Sequence, residues 1–382
     1  MIGIAAFRQG RTPKALLPAI SLALLTLGPT NAINGIENRL AAEDRVPVYT
    51  EHQDLTYYLD ADGEKHRIQT EADWEIRRGH IKANIERVMG PLPQPEKPVP
   101  LDVEVLEEVG VGSLVRQKIS YHTDSPDRRV SAYLFYPSKE ALKQTGIPAM
   151  LCLHQTIQIG KEEPAGMGGN PNLHYALHLA ERGYITLAPD YPSFGEYEYD
   201  FDPKHGYISG SMKAIYDNVR AIDLLQSLSA VDDERIGCIG HSLGGHNTMF
   251  TAFFDSRIRV AVSNCGFTRF HKYYGGKLAG WTSLRYMPLI AGEYDNNPDQ
   301  VPFDFTEIVA GFAPRPFLAS SPTMDSNFEV SGVKDAIKVA KPIYELYGVA
   351  ENLQANYPEC QHDFPEDVRK TAYEFIDRHL MK

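Results

Sequence analysis

"IGCIGHSLGGHN", residues 236–247, sets a polar serine between glycines directly after a short apolar run. A strand that simply hands over to a helix has no packing reason to spend so many small residues at the junction. A strained turn does, because glycine is needed where strand and helix backbones approach closely. Gly240-His241-Ser242-Leu243-Gly244 matches the G-x-S-x-G pattern, and it does so between a buried strand and a helix, the context that gives the pattern meaning. Such a turn lifts a serine hydroxyl clear of its neighbours, where it can act as a nucleophile.

A hydroxyl attacks poorly until a base removes its proton, so a histidine and an orienting acid are required elsewhere in the chain. "CQHDFP" places His362 just beyond the last expected strand and before the last helix. "LASSPTMDSNF" places Asp325 just beyond the preceding strand. The chain order Ser242, Asp325, His362 is the order that goes with this kind of turn. All three also fall at carboxyl ends of strands, where open α/β sheets gather their sites. Asp363 and Glu329 are competing acids, ranked lower because Asp363 adjoins the histidine itself and Glu329 lies deeper in the following loop. Singly, Asp325 reads equally well as a turn cap and His362 as a loop histidine bonded to backbone; their joint order is what points to catalysis. Two amide donors must face the developing oxyanion. By geometry the first is Leu243, the residue after the nucleophile. The second is expected in "QTIQIG", after the strand "AMLCLH", with Thr156 favoured and Gln155 the alternative.

Outward from the site, near-continuous apolar runs alternate with helical patterns: "IPAMLCLH", "YITLAPDYP", "RIGCIG", "RVAVSNCG", "PFLASSPTMD" and "LQANYP" are strands, separated by helices such as "HYALHLAERG" and "SMKAIYDNVRAIDLLQSL". Strands of that kind belong to a parallel sheet covered on both faces. "LDVEVLEEV", "LVRQKISYH" and "RVSAYLFYP" precede them as antiparallel strands. Residues 33–100 are expected to be an extension that packs on this body. Its helix, "EADWEIRRGHIKANIERVM", carries Trp74, Ile76, Ile81, Ile85 and Val88, and the stiff connector "GPLPQPEKPVP" ends it. The catalytic domain is expected over 101–382. Residues 267–313 interrupt the alternation with aromatics, including Tyr273, Trp281, Tyr286, Phe303 and Phe305, which suit either a substrate-binding cap or ordinary packing.

The chain has 382 residues, 43% of them apolar, enough for a sizeable core. Arg8, Arg11 and Lys14 precede "ALLPAISLALLTLG" and the small-residue stretch "PTNA", the layout of a secretory signal peptide over 1–32, so an exported, periplasmic or secreted protein is expected. Without those three basic residues, 35 basic side chains stand against 50 acidic ones, a net charge of −15. Such a surface repels nucleic acid and anionic membranes, and neither is expected as a partner. Cys152, Cys238, Cys265 and Cys360 have no metal-ligand spacing and imply no disulfide framework. His241 and His246 flank the serine without an acidic partner at ligand spacing, and no metal is expected. "GMGGNP", residues 166–171, lacks the lysine of a phosphate loop and reads as a flexible loop near the site.

At "GHSLGG", "APDYPSFGE", "APRPFLASSPTMDSNFE" and "CQHDFP" the chain resembles the α/β-hydrolase superfamily, and within it the exported bacterial branch labelled dienelactone-hydrolase-like or acetyl-xylan-esterase-like. The resemblance covers roughly residues 100–382. It implies an eight-stranded, mostly parallel sheet flanked by helices, no cofactor, and acyl transfer to water; residues 267–313 are then an insertion before the acid-bearing strand. One departure stands out: His154-Gln155-Thr156 replaces the His-Gly-Gly or His-Gly-Tyr that many esterases carry after the corresponding strand. The function expected is a serine carboxylic-ester hydrolase acting on small or carbohydrate-linked acyl esters. A peptidase or amidase on the same fold, or a non-catalytic binding member, is the alternative.

Overall fold

Period-2 alternation along "IPAMLCL" sends Ala149, Leu151 and Leu153 into one apolar cluster and Met150 and Cys152 into another. A strand buried on both faces needs neighbours on both sides. The computed structural model, which describes residues 46–381, supplies them. The expected leader lies outside the described residues. Elements run β1 (Tyr57–Leu59), β2 (Lys65–Arg67), α1 (Glu71–Met89), β3 (Glu104–Val111), β4 (Leu114–His122), β5 (Arg129–Tyr136), β6 (Ile147–Leu153), α2 (Tyr175–Glu181), β7 (Ile185–Pro189) and α3 (Gly210–Ser227). They continue with β8 (Val231–His241), α4 (Leu243–Phe254), β9 (Ile258–Asn264), α5 (Leu289–Gly292), α6 (Phe305–Ala310), β10 (Phe317–Ser320), α7 (Val330–Leu346), β11 (Leu353–Asn356) and α8 (Glu366–Leu380).

The main sheet has nine strands in the order β11-β10-β9-β8-β6-β7-β5-β4-β3. This is an α/β-hydrolase fold with one strand more than the eight that the resemblance implies. The β7-to-β11 run is parallel, and β5, β4 and β3 continue it antiparallel. At the edge, β3 is largely exposed, bulged between Val105 and Glu107, and lined with Glu104, Glu107 and Glu108. Those charges and the bulge discourage pairing with another chain. One face of the sheet is covered by α1, α3, α4 and α7, the other by α2 and α8.

The first described helix, α1, starts at a capping box between Thr70 and Asp73 and ends at Gly90, whose φ of 88° a residue with a side chain rarely adopts. Trp74, Ile81, Ile85 and Val88 join the main core cluster. Ile76, expected on the same face, is instead 43% exposed, and Arg77 takes the inward position with no exposed surface. Position 77 lies three residues after Trp74 and four before Ile81, on one helical stripe, whereas position 76 is off it. What makes a buried arginine tolerable is Glu307 of α6. Its carboxylate accepts from Arg77 at 2.7 Å and from His52 Nδ1 at 2.9 Å, and the guanidinium also lies over the Tyr49 ring.

This buried trio ties residues 46–89 to the body. Replacing Glu307 by glutamine strands two buried cations and is expected to cost about 3–5 kcal/mol, read as a lower denaturation midpoint with the fold otherwise retained. The trio also sets a pH dependence. Burial alone would depress the His52 pKa, but the charge and hydrogen bond of Glu307 outweigh it and the value is raised above 6.5. That contribution is full below pH 6.5 and is lost as pH rises through the raised value. Burial pushes Glu307 up, yet His52 and Arg77 hold it below its ordinary 4.5, so its contribution is lost only as pH falls further. The midpoint of the wild type should therefore decline on the alkaline side more steeply than that of His52→Gln, in denaturation followed from pH 5 to 9.

Candidate active site

Register aligns the strand ends that carry the site. Leu153 of β6 lies beside Gly240 of β8, His241 beside Asn264 of β9, and Asn264 and Asn356 both beside Ser320 of β10. The chain leaves β6 toward β7 on one side and returns to β8 on the other, so the crevice where α/β sheets bind ligands opens at these carboxyl ends.

Ser242 stands at the turn between β8 and α4 with φ 55° and ψ −117°, a conformation that costs on the order of 1–3 kcal/mol for a residue with a side chain. The surrounding glycines leave no alternative. A Cβ on Gly240 would collide with the backbone of Gly244, and one on Gly244 with the Leu153 carbonyl. The turn is held by the Ser242 amide donating to the Asn264 carbonyl at 2.9 Å and the His246 amide donating to the Ser242 carbonyl at 3.1 Å.

Loops after β10 and β11 bring Asp325 and His362 together. His362 Nδ1 donates to Asp325 Oδ2 at 2.8 Å, while Asp325 Oδ1 accepts from the amides of Asn327 at 2.8 Å and Phe328 at 3.1 Å. Three donors thus fix a carboxylate whose side chain is 1% exposed. With its proton on Nδ1, the imidazole presents a bare Nε2. Ser242 and His362 line one cavity of about 250 Å³, together with Gln155, Thr156 and Leu243. Their side chains are not hydrogen-bonded to each other in this resting arrangement.

The other two acids are occupied elsewhere. Asp363 accepts from Asn170 Nδ2 at 2.8 Å and Asn172 Nδ2 at 2.7 Å, and Glu329 lies at the start of α7 beside Ser331. Asp363 and Glu163 together change the reading of "GMGGNP". Expected as a flexible loop, it is tied down by Asp363 on Asn170 and by Glu163 accepting the Asn170 amide at 3.0 Å.

His154, after β6, is fully buried. Its Nε2 accepts from the Tyr191 amide at 2.9 Å, so Nδ1 carries the proton and donates to the Gln155 carbonyl at 2.6 Å. Burial lowers its pKa, which keeps it neutral. Because a trans peptide points its N–H opposite its C=O, pinning the Gln155 carbonyl to His154 turns the Thr156 amide the other way. The Thr156 hydroxyl shares a hydrogen bond of 3.0 Å with Tyr286 Oη.

The aromatic segment serves two purposes at once. Phe270, Phe303 and Phe305 are core residues, whereas Tyr273, Gly280, Trp281 and Tyr286 form one wall of the cavity. Asn327 and Phe328 also line it; their only signal in the sequence is that they stand two and three residues after Asp325. Among the described residues, His241, Cys265 and His362 place possible metal-ligand atoms within 4.8 Å of one another. His362 Nδ1 already serves Asp325, His241 Nδ1 sits 2.6 Å from Asn264 Nδ2, and burial pushes the Cys265 thiol well above its ordinary value, away from the thiolate a metal needs. All four cysteines are free, and no described helix is long and apolar enough to cross a membrane.

Among curated proteins, YtaP of Bacillus subtilis, named as a hydrolase, is 27% identical over 317 residues, 79% of this chain and all of its own length. The 4-O-methyl-glucuronoyl methylesterase 1 of Wolfiporia cocos is 22% identical over 96% of this chain and 90% of its own. Among solved structures, the glucuronoyl esterase from Solibacter usitatus superposes with a TM-score of 0.68 at 18% identity, covering 88% of this chain and 99% of that one. That from Caldicellulosiruptor kristjansonii gives 0.63 at 19% identity, covering 88% and 92%. These superpositions establish the fold. The family model of the prolyl oligopeptidases matches residues 172–382, more than half of the sequence and the part that holds Ser242, Asp325 and His362. The chain belongs to the prolyl oligopeptidase family.

Proposed function

We propose that this protein is a serine carboxylic-ester hydrolase that works through an acyl-enzyme on small or carbohydrate-linked esters. The observation that carries the reading is the Asp325–His362 hydrogen bond at the wall of the cavity that also holds Ser242. In this mechanism His362 Nε2 takes the Ser242 proton as Oγ attacks the ester carbonyl, and Asp325 holds the imidazole in the required tautomer. The Leu243 amide, at the first turn of α4 where helix N–H groups have no helical partner, faces the oxyanion together with the Thr156 amide. His362 then protonates the departing alcohol. Water, deprotonated by the same nitrogen, attacks the acyl-enzyme and releases the acid. Gln155 is the alternative second donor, through its own backbone amide; its side chain is bonded to Glu163 at 2.9 Å and its carbonyl to His154.

Support for esters comes from the relatives, of which several are named as esterases. A peptidase on the same machinery is favoured by the family name alone. One panel separates the two: rates on a short-chain and a long-chain nitrophenyl ester, acetylated xylan and a peptide amide, with a fluorophosphonate probe mapped to its labelled residue. Ester turnover with label on Ser242 supports the reading. Amide turnover without ester turnover moves the peptidase forward, and no label on Ser242 ends both. The reading extends to the domains: residues 1–32 as a cleaved leader of an exported protein, 33–100 as the extension and 101–382 as the catalytic domain. The N-terminal sequence of the mature protein tests it.

A further inference from the structure

Where many esterases carry glycine after the histidine that follows β6, this chain carries Gln155. A glycine offers only its backbone, whereas Gln155 is also held by its side chain. Its Nε2 donates to both carboxylate oxygens of Glu163, at 2.9 and 3.1 Å. Glu163 Oε1 accepts the Asn170 amide as well, at 3.0 Å. Glu163 is 1% exposed, and the loop "GMGGNP" is shaped around it: Gly169 has φ 70°, and a Cβ there would collide with the Glu163 carboxylate. Burial raises the Glu163 pKa, and the hydrogen bonds from Asn170 and Gln155 only partly offset this. An apolar side chain of similar size would spare the fold that cost.

What the carboxylate fixes is the chain beside the oxyanion. The Gln155 carbonyl accepts from His154 Nδ1 at 2.6 Å while the Gln155 side chain is tied to Glu163, so one residue is anchored through main chain and side chain together. The next peptide carries the Thr156 N–H, and Gln155, Thr156 and Leu243 line the cavity with Ser242. A single hydrogen bond on the carbonyl leaves that peptide free to rotate about the bond. The second tie removes the rotation. We infer that Glu163 is a positioning residue, which through Gln155 holds the Thr156 amide on the developing oxyanion. The inference rests on the reading of the Ser242 cavity as an acyl-transfer site and adds the group that sets its second donor in place.

Glu163→Met and Gln155→Met break this contact from opposite sides at similar side-chain length. Losing an oxyanion donor outright costs about 100- to 1,000-fold in kcat, so a donor left unheld should cost about 10- to 100-fold, with KM within about threefold of the wild type. The double variant should lose no more than the worse single one, because both remove the same contact. Gln155→Met carries the test if Glu163→Met folds poorly, since residue 155 is only half-buried. Glu163→Gln should keep most of the rate: its amide can donate to the Gln155 side-chain oxygen once that group turns over, and its own oxygen still accepts the Asn170 amide. Asn170→Ala frees the loop from Asp363 and spares the bond between Glu163 and Gln155, so it should act on KM more than on kcat.

A second readout is specific to the oxyanion. In a thionoester, sulfur stands where the oxyanion oxygen forms, and sulfur accepts hydrogen bonds weakly. The ratio of rates on an ester and its matching thionoester should fall about fivefold or more in Glu163→Met. In Asp325→Asn, which slows proton transfer on both substrates alike, it should stay near the wild-type value. Losses confined to KM or to the denaturation midpoint, losses that multiply in the double variant, or an unchanged ratio overturn the inference and leave the ester reading standing. Should the wild type cleave amides instead, the same variants are read on the amide and the same split in kcat decides. A wild type that turns over neither, and that a fluorophosphonate does not label at Ser242, overturns both.

Discussion

Replacing Ser242 by alanine is expected to lower kcat on the best ester by about 10⁴- to 10⁶-fold while leaving the denaturation midpoint nearly unchanged. The two halves of that expectation have separate causes. Chemistry is lost because the only atom removed is the one that attacks, and what survives is the modest acceleration from binding and from the oxyanion donors. Stability is kept because the strain at φ 55° belongs to any residue with a Cβ, and alanine retains the Cβ. The bonds that hold the turn, to the Asn264 carbonyl and from the His246 amide, are both made by the Ser242 backbone. The measurement is kcat and KM on one nitrophenyl ester alongside thermal denaturation of both proteins. A residual rate within tenfold of the wild type, in preparations free of contaminating esterase, would sink the serine mechanism.

Asp325→Asn should lower kcat by about 10⁴-fold, and neither Asp363→Asn nor Glu329→Gln should approach this. A carboxylate at 325 accepts from His362 Nδ1–H, which leaves Nε2 free to take a proton. An asparagine there still accepts the Asn327 and Phe328 amides through its oxygen, and so turns its NH₂ toward His362. That favours the tautomer with the proton on Nε2, the wrong nitrogen to act as base. Asp363 instead fastens Asn170 and Asn172, so its amide variant should loosen that loop and raise KM more than it lowers kcat. Three kcat/KM profiles against pH, one per variant, assign the acid. A large loss in Asp363→Asn with Asp325→Asn nearly intact would move the role to Asp363.

Much of this architecture could be read from the sequence because it is decided locally. The alternation of apolar strands and helices from Ile147 onward is a matter of side-chain period, and the nine strand-like runs between residues 101 and 358 hold the nine strands of the sheet. The crowding around Ser242 is equally local: Gly240 and Gly244 are four residues apart and meet across one turn, so the glycines in "GHSLGG" already imply it. The order of Ser242, Asp325 and His362 followed from placing each at a strand end.

Other features depended on partners remote in sequence. Arg77 can stay charged at its buried place on the α1 stripe because Glu307, far along the chain, gives the guanidinium its counter-charge. Of three acids near the last strands, Asp325 meets His362 because the loops after β10 and β11 lie side by side, an adjacency created by parallel pairing of Ser320 with Asn356. His246, read only as an unsupported metal ligand, stands against Trp281 on the cavity wall through a fold-back of the aromatic segment that no local pattern encodes. Sequence by itself determined the scaffold and the strained turn, since periodicity and backbone sterics act over a few residues. Only the tertiary structure decided the acid's partner, the buried charges and the chemistry of the cavity, because a hydrogen bond or ion pair is specified by two distant positions together and by neither alone.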